Sequence, residues 1–405
     1  MIKLKANYIL TMNDKFEIIE NGEVIFDKKI IKVGQNLESN IETIIDLGEN
    51  SVLMPGLINT HTHLEFSANN TSLIYGDFIT WLNSVLLKRD TLLNDCQNNC
   101  YKKAINEMKK SGIVAFGEIS STGLDLEQIK DCDLKVVYFN EIIGSNPAAV
   151  DALYQDFLSR LSESKKYENE KFIPSISIHS PYSVHPIVIK KVLDIAKKEN
   201  MVVSAHFMES KAEREWLDHN KGDFKLFFKT HLNQDKAITT AQEFLEQFEG
   251  VKTHFIHSVW ATEEELQTIS NMNATIAHCP ISNRLLNTGL LDIERVKNLN
   301  IPYSVATDGL SSNYSLNLFK EIRASLLMHT GLHPKYLAKD LLKAVTSTAG
   351  EILNLNNGMI EVGKFADMVS FKLPNKVDVE DLCLQTILHI NEVEKMWING
   401  EKVDF

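Results

Sequence analysis

Cysteine is scarce and unpatterned, with five in 405 residues, at Cys96, Cys100, Cys132, Cys279 and Cys383. An odd, scattered set argues against a disulfide framework and leads us to expect reduced thiols in a cytoplasmic protein. Cys96 and Cys100 lie four apart on an expected helix, but no second cysteine pair accompanies them to complete a metal site. No apolar run approaches the length of a membrane-spanning helix. The start, Met1-Ile2-Lys3-Leu4-Lys5, lacks the long apolar core and small-residue cleavage site of a signal peptide. Basic residues are in deficit, 42 against 54 acidic, for a net charge of −12. That balance argues against nucleic acid and anionic membranes as partners, but not against a small anionic substrate, which meets a local field. There is no serine nucleophile elbow, phosphate loop or dinucleotide glycine fingerprint. Internal repeats, low-complexity tracts and proline-rich linkers are also missing. What remains is ordinary globular composition, 44% hydrophobic and 24% charged. The length suits two or three domains, or one barrel with a smaller attachment.

Residues 1–52 read as short strands and turns, as do residues 356–405, where Asn399-Gly400 is a hairpin signal. The economical expectation is one small β-sandwich domain built from both termini. Between them, over 53–355, β-branched apolar runs alternate with helical periodicity. The runs are Val52–Ile58, Ile113–Gly117, Lys135–Asn140, Ile173–Ile178, Met201–Ala205, Thr253–Ile256, Ala274–Ala277 and Ile301–Ala306. Eight strands alternating with helices predict an α/β fold, a (β/α)₈ TIM barrel.

Function in such a barrel collects at the C-terminal ends of the strands. Reading off those ends gives His61 and His63, then Glu118, Glu141, His179, His206, His257, His278 and Asp308. Six of the eight runs end in His or Asp and the other two in Glu, a pattern that random placement of 13 histidines would rarely produce. His61 and His63, spaced i and i+2 on a strand, aim two imidazoles at one point. With His206 and Asp308 they can hold one Zn²⁺ or Fe²⁺ and leave a position open for water. Bound metal lowers the pKa of water from about 15.7 toward ~7, and Asp308 is placed to take the proton. Glu209, three residues after His206, suits a proton shuttle to substrate. His257 is placed to polarise the water, and His179 to contact substrate. Each has a blander reading: strand-end caps for His206 and Asp308, an exposed helix-start acid for Glu209, buried structural histidines for His179 and His257. No lysine ends the fourth run, so one metal is expected rather than two. His278 and Glu141 receive no role.

These pieces resemble the amidohydrolase superfamily. The match rests on Pro55-Gly56-Leu57-Ile58-Asn59-Thr60-His61-Thr62-His63, His179-Ser180-Pro181-Tyr182, His206-Phe207-Met208-Glu209, His257, His278-Cys279-Pro280-Ile281-Ser282-Asn283 and Thr307-Asp308-Gly309-Leu310-Ser311-Ser312-Asn313. The tail Ile360-Glu361-Val362-Gly363-Lys364-Phe365-Ala366-Asp367-Met368-Val369 is also typical. Asp308 to Ser315 is the mark of the branch that holds methylthioadenosine and S-adenosylhomocysteine deaminases and chlorohydrolases. That branch implies hydrolytic deamination at C6 of an adenine ring. It assigns Glu209 to protonating a ring nitrogen, His257 to the attacking water and His179 to substrate. Trp81-Leu82 is retained, so Trp81 is carried over as a substrate contact, and the acidic ribose contact would fall at Asp90. The third strand end offers no arginine for a homocysteine carboxylate. The texture around His63 and Asn283-Arg284 most resembles the aminodeoxyfutalosine deaminases of the futalosine route to menaquinone. Their substrate carries an aryl carboxylate on its 5′ side, which Arg284 would meet. The alternatives are a methylthioadenosine, S-adenosylhomocysteine or adenosine deaminase, a guanine- or triazine-type aminohydrolase, and a metal-free scaffold. A homo-oligomer is left open.

Overall fold

The computed structural model describes residues 1–38, 41–69, 71–96 and 99–405. Sixteen strands among them build two sheets. The N-terminal strands are β1 (Ile2–Leu10), β2 (Ile18–Phe26), β3 (Ile30–Gly34), β4 (Ile44–Asp46) and β5 (Ser51–Pro55). Then come β6 (Leu57–Thr62), β7 (Ile113–Ser120), β8 (Lys135–Ile142), β9 (Phe172–Ile178), β10 (Val203–Phe207), β11 (Thr253–His257), β12 (Thr275–His278) and β13 (Tyr303–Val305). The C-terminal strands are β14 (Met368–Lys372), β15 (Lys395–Ile398) and β16 (Glu401–Val403).

The first sheet runs β16-β15-β14-β5-β1-β2-β3, with β4 beside β1, so both ends of the chain share it. It buries Leu4, Val24, Phe26, Leu53, Met368 and Trp397 together. Asn399 and Gly400, both at positive φ, close the β15–β16 hairpin with the left-handed turn such a connection requires. The apolar run read as one strand, Val52–Ile58, is in fact two. Pro55 ends β5 in the terminal sheet, and the chain bends at Gly56 before β6 enters the barrel. A Cβ at Gly56 would lie 2.2 Å from Val114, so only glycine fits the bend.

The second sheet, β6 to β13 in chain order, is parallel throughout. Its strands are buried along nearly their whole length, as expected of a sheet with helices outside and packed side chains inside. Side chains join β6 to β13 and bring the sheet round on itself. Asn59 donates to Thr307 Oγ1 at 2.7 Å and accepts the Thr307 N–H at 3.1 Å, and Asp308 N–H donates to the His61 carbonyl at 3.2 Å. The result is the expected (β/α)₈ barrel with a separate mixed sheet. The two bodies meet at a buried ion pair, Lys135 Nζ to Asp367 Oδ2 at 2.5 Å. Asp367 also accepts from Asn357 Nδ2 and the Asn399 N–H. Cys96 and Cys100, expected as separate thiols, are joined as a disulfide between the ends of the Phe78–Asp95 and Cys100–Lys110 helices, with their Cα atoms 5.0 Å apart. No helix among the described residues is long and apolar enough to cross a membrane.

Candidate active site

The strand ends converge. His61, in β6, and His63, just beyond it, set their rings 4.7 Å apart, and the His206 ring lies 4.9 Å from His61. His63 Nε2 is 3.4 Å from His206 Nε2. Asp308 Oδ1 lies 3.6 Å from His61 Nε2 and 3.8 Å from His63 Nε2. Four donor atoms from two strand ends, those of β6 and β10, and the loop after β13 thus face one small volume.

Their environments suit a cation. Both ring nitrogens of His61 are buried without a hydrogen-bond partner, a costly state unless a ligand uses one. His206 Nδ1 sits 2.8 Å from the His179 carbonyl. It must donate its proton there, which leaves the Nε2 lone pair free for a metal. Burial, then the neighbouring imidazoles, keeps His206 neutral, far below the usual histidine range. His63 is pushed down to about 3, again by burial first and His61 second. Neutral imidazole is the form that ligates metal. Asp308 is also deeply placed, which by itself raises its pKa, but the facing imidazoles of His61 and His63 hold it well below the carboxylate range. Ser282 and Ser312 hydroxyls donate to its Oδ2 at 2.8 and 2.7 Å, and the Gly309 N–H to Oδ1 at 2.7 Å. The carboxylate is fixed in place, and its backbone holds φ at +59°. Strained backbone of this kind persists only where the surroundings over-determine it.

Glu118, at the end of β7, stays out of the cavity. Its carboxylate accepts from Thr62 Oγ1 at 2.7 Å and from the Leu64 N–H at 2.8 Å. It therefore clamps the chain on both sides of His63.

Glu209 and His257 stand beside this cluster. Glu209 Oε1 is 3.5 Å from His257 Nε2. Burial, then the charges of Asp308 and Glu213, raises Glu209 well above the carboxylate range. Asn283 Nδ2 donates to His257 Nδ1 at 3.2 Å, which leaves the His257 proton on Nε2, toward the site. His257 itself is lowered to about 4, by burial before any other cause. Met208, His257 and Ser258 all hold positive φ. Sequence reading missed Asn283 and Ser282 as supports, although both lie in a stretch already singled out.

These groups form one end of a cavity of about 370 Å³. His179 lines it, with Nδ1 held 2.6 Å from Ser183 Oγ. Trp81 lines it too, its indole N–H donating to the Ser311 carbonyl at 2.8 Å. Two expected contacts do not arrive. Asp90 and Arg284 are exposed and lie outside the cavity. On the Phe78–Asp95 helix the inward stripe is Phe78, Trp81, Leu82, Val85 and Arg89, at the i, i+3, i+4, i+7 spacing that shares one face. Position 90 falls a hundred degrees off that face. Arg284 lies in the last turn of the short Pro280–Leu285 helix, past its buried residues Pro280 to Asn283. The sequence held a signal for Arg89, a charge at a stripe position that should have been apolar. Glu141 reaches the wall with Oε1 unpartnered, raised to about 7 by burial. Phe227, Phe228 and His231 come from the Asp223–Leu232 helix, which strand-end reasoning could not reach. His278 lies buried edge-on to His329, away from the cavity. His254 is a satisfied barrel histidine between Thr60 and Thr275. An open depression on the outer helices, near Lys190 and Glu243, contains none of these strand-end groups.

Comparison with known proteins agrees with this geometry. Residues 52–403 match the model of the amidohydrolase family. An aminodeoxyfutalosine deaminase from a Nitratiruptor species is 50% identical over 389 residues, 95% of this chain and 96% of that protein. An adenosine deaminase of Helicobacter pylori is 37% identical and covers 98% of each chain. The crystal structure of Helicobacter pylori aminofutalosine deaminase with methylthio-coformycin superposes with a TM-score of 0.94 at 36% identity, over the full length of both chains. With its barrel, its strand-end donor set and these relatives, the chain belongs to the amidohydrolase family.

Proposed function

We propose that this chain is a metal-dependent aminohydrolase that removes the C6 amino group of an adenosine derivative, releasing ammonia and the inosine analogue. The preferred substrate in this reading is aminodeoxyfutalosine, in menaquinone biosynthesis in the cytoplasm. The carrying observation is one cluster, His61, His63, His206 and Asp308, with the buried Glu209 at its edge and a nucleoside-sized cavity above it. The 50% identity to a protein of that activity supports the choice of substrate.

His61, His63, His206 and Asp308 would hold one Zn²⁺ or Fe²⁺. Bound there, the cation makes hydroxide available at neutral pH. The chain's own groups do the rest. Glu209, protonated before substrate arrives, gives its proton to a ring nitrogen and so lets C6 accept a nucleophile. The Nε2–H of His257, 3.5 Å from Glu209, orients the incoming oxygen by hydrogen bonding. Asp308, anionic before the reaction, would accept the proton of the attacking oxygen and pass it on for the departing nitrogen. Proton return through Glu209 lets nitrogen leave as ammonia. His179 and Trp81 contact the nucleoside.

Glu209→Gln is the test. It should lower kcat by roughly 10²- to 10⁴-fold with metal content at the wild-type level. Ammonia release at near-normal rate in that variant refutes the assignment. Wild-type preference for free guanine over any nucleoside refutes the substrate class.

A further inference from the structure

Two of the five cysteines are joined where two helices meet. Cys96 caps the C-terminal end of the Phe78–Asp95 helix, Cys100 opens the Cys100–Lys110 helix, and both are buried. The bond joins residues only four apart. So short a loop gains little global stability from closure, because the chain entropy removed grows with loop length. What the bond fixes is local: the end of one helix against the start of the next.

The reduced state also has a place in this fold. The Cys96 sulfur lies 3.8 Å from the Leu64 carbonyl oxygen, and the Cys100 sulfur 3.2 Å from the Cys96 carbonyl oxygen. Once the bond opens, each S–H has an acceptor within reach, so reduction strands no buried donor.

Both helices brace the same part of the active site. From the first, the Trp81 indole N–H donates to the Ser311 carbonyl at 2.8 Å, and Trp81, Leu82 and Val85 line the cavity. From the second, Glu107 Oε1 accepts the Ser315 hydroxyl at 2.6 Å and the Leu316 N–H at 3.0 Å. Residues 311–316 lie in the loop between β13 and the Leu318–Met328 helix, which also carries Asp308. The disulfide therefore ties two supports of the Asp308 loop to each other.

We infer that Cys96 and Cys100 form a redox switch on the cavity wall. A dithiol reductant opens the bond by thiol–disulfide exchange. The Sγ–Sγ bond breaks, both cysteines end as S–H, and the two electrons come from the reductant, which closes to its own disulfide. The Phe78–Asp95 helix is then free to shift against its neighbour, and nucleoside binding weakens. In a reducing compartment a disulfide is more often a transient, sensing bond than a permanent staple. The effect on nucleoside binding rests on the adenosine-derivative reading above; the switching of the bond and the helix does not.

The test equilibrates the metal-loaded enzyme in dithiothreitol buffers graded from fully oxidised to fully reduced. Alkylation and mass spectrometry give the fraction of Cys96–Cys100 disulfide, hydrogen exchange reports opening of residues 78–95, and ammonia release from methylthioadenosine and aminodeoxyfutalosine gives KM and kcat. The bond should open and close reversibly. Reduction should speed exchange over residues 78–95 and raise KM by roughly 5-fold or more. The double variant Cys96→Ser, Cys100→Ser should resemble the reduced enzyme in every buffer, which also separates the switch from any loss of metal to the reductant. The inference is overturned if no bond forms at the oxidised end, or if the bond survives the reduced end as a permanent staple. Equal exchange and equal KM in the two states overturn it too, as does a double variant that responds to the buffers as wild type does. If neither nucleoside releases ammonia, the adenosine-derivative reading fails, while alkylation and exchange still decide the switch.

Discussion

Glu213 offers the sharpest test of how the fold serves the site. It sits on the Lys211–His219 helix, 1% exposed. Its Oε1 accepts the Met208 N–H at 3.0 Å and its Oε2 the Glu209 N–H at 2.8 Å. Ser210 caps the same helix by accepting the Glu213 N–H at 3.2 Å. The turn so held is strained, with Met208 at φ +48°. Glu213→Ala removes both acceptors. Each stranded, buried N–H costs about 1–3 kcal/mol, so the loss for the pair is roughly 2–6 kcal/mol. The left-handed turn, unfavourable by about 1–2 kcal/mol for a non-glycine residue, loses what holds it. Glu209 then drifts from its place 3.5 Å from His257. A displacement of about 1 Å can cost roughly 100-fold in rate. Glu213→Gln keeps the volume and one acceptor, so its losses should be smaller on both scales. Urea unfolding gives the stability change, and steady-state ammonia release gives kcat and KM separately. The expected signature is a fall in kcat with KM little changed, graded Ala below Gln below wild type. Loss of stability with kcat intact would mean that Glu213 only caps a helix. A stability change under about 0.5 kcal/mol would refute the hydrogen-bond reasoning itself.

Removing the metal with a chelator should abolish ammonia release, and adding back Zn²⁺ or Fe²⁺ should restore it; activity that survives with no metal detected would revive a metal-free role. Gly309→Ala places a Cβ 2.8 Å from both the Cβ and the carbonyl oxygen of His63, so metal affinity should fall by about 10- to 100-fold in a competition titration, and unchanged affinity would show that His63 can shift freely. Glu321 is lifted by burial from 4.5 to about 8. The folded chain therefore keeps a proton that the unfolded chain has released, and this group's stabilisation is full below pH 4.5 and lost as pH rises toward 8. Glu321→Gln mimics the protonated form, so its urea midpoint should gain on wild type between pH 5 and 8; parallel curves for the two proteins would count against the assignment.

The strand-end histidines were legible because a parallel barrel projects the end of every strand to one face. A pattern local in sequence thus becomes a cluster in space. His61, His63, His206 and Asp308 needed no contact information beyond that rule. The terminal sheet was legible as texture, but not the break at Gly56, since an apolar run carries no mark of which sheet each half will join. The wall of the cavity was harder. It is made by helix faces, and a face is fixed by rotation about the helix axis, where one residue changes the direction by a hundred degrees. Asp90, carried over by resemblance as the ribose contact, falls off the inward face for that reason. Arg284 looked equally suitable in sequence, and only packing turned it to solvent.

The order of residues by itself therefore determined the fold class, the reacting end and the kind of chemistry, because periodicity and strand-end position survive without distances. Tertiary structure alone decided what supports that end: Glu213 beneath Glu209 and Asn283 behind His257. Those contacts join residues whose separation along the chain carries no period, so nothing short of the packed molecule could bring them together.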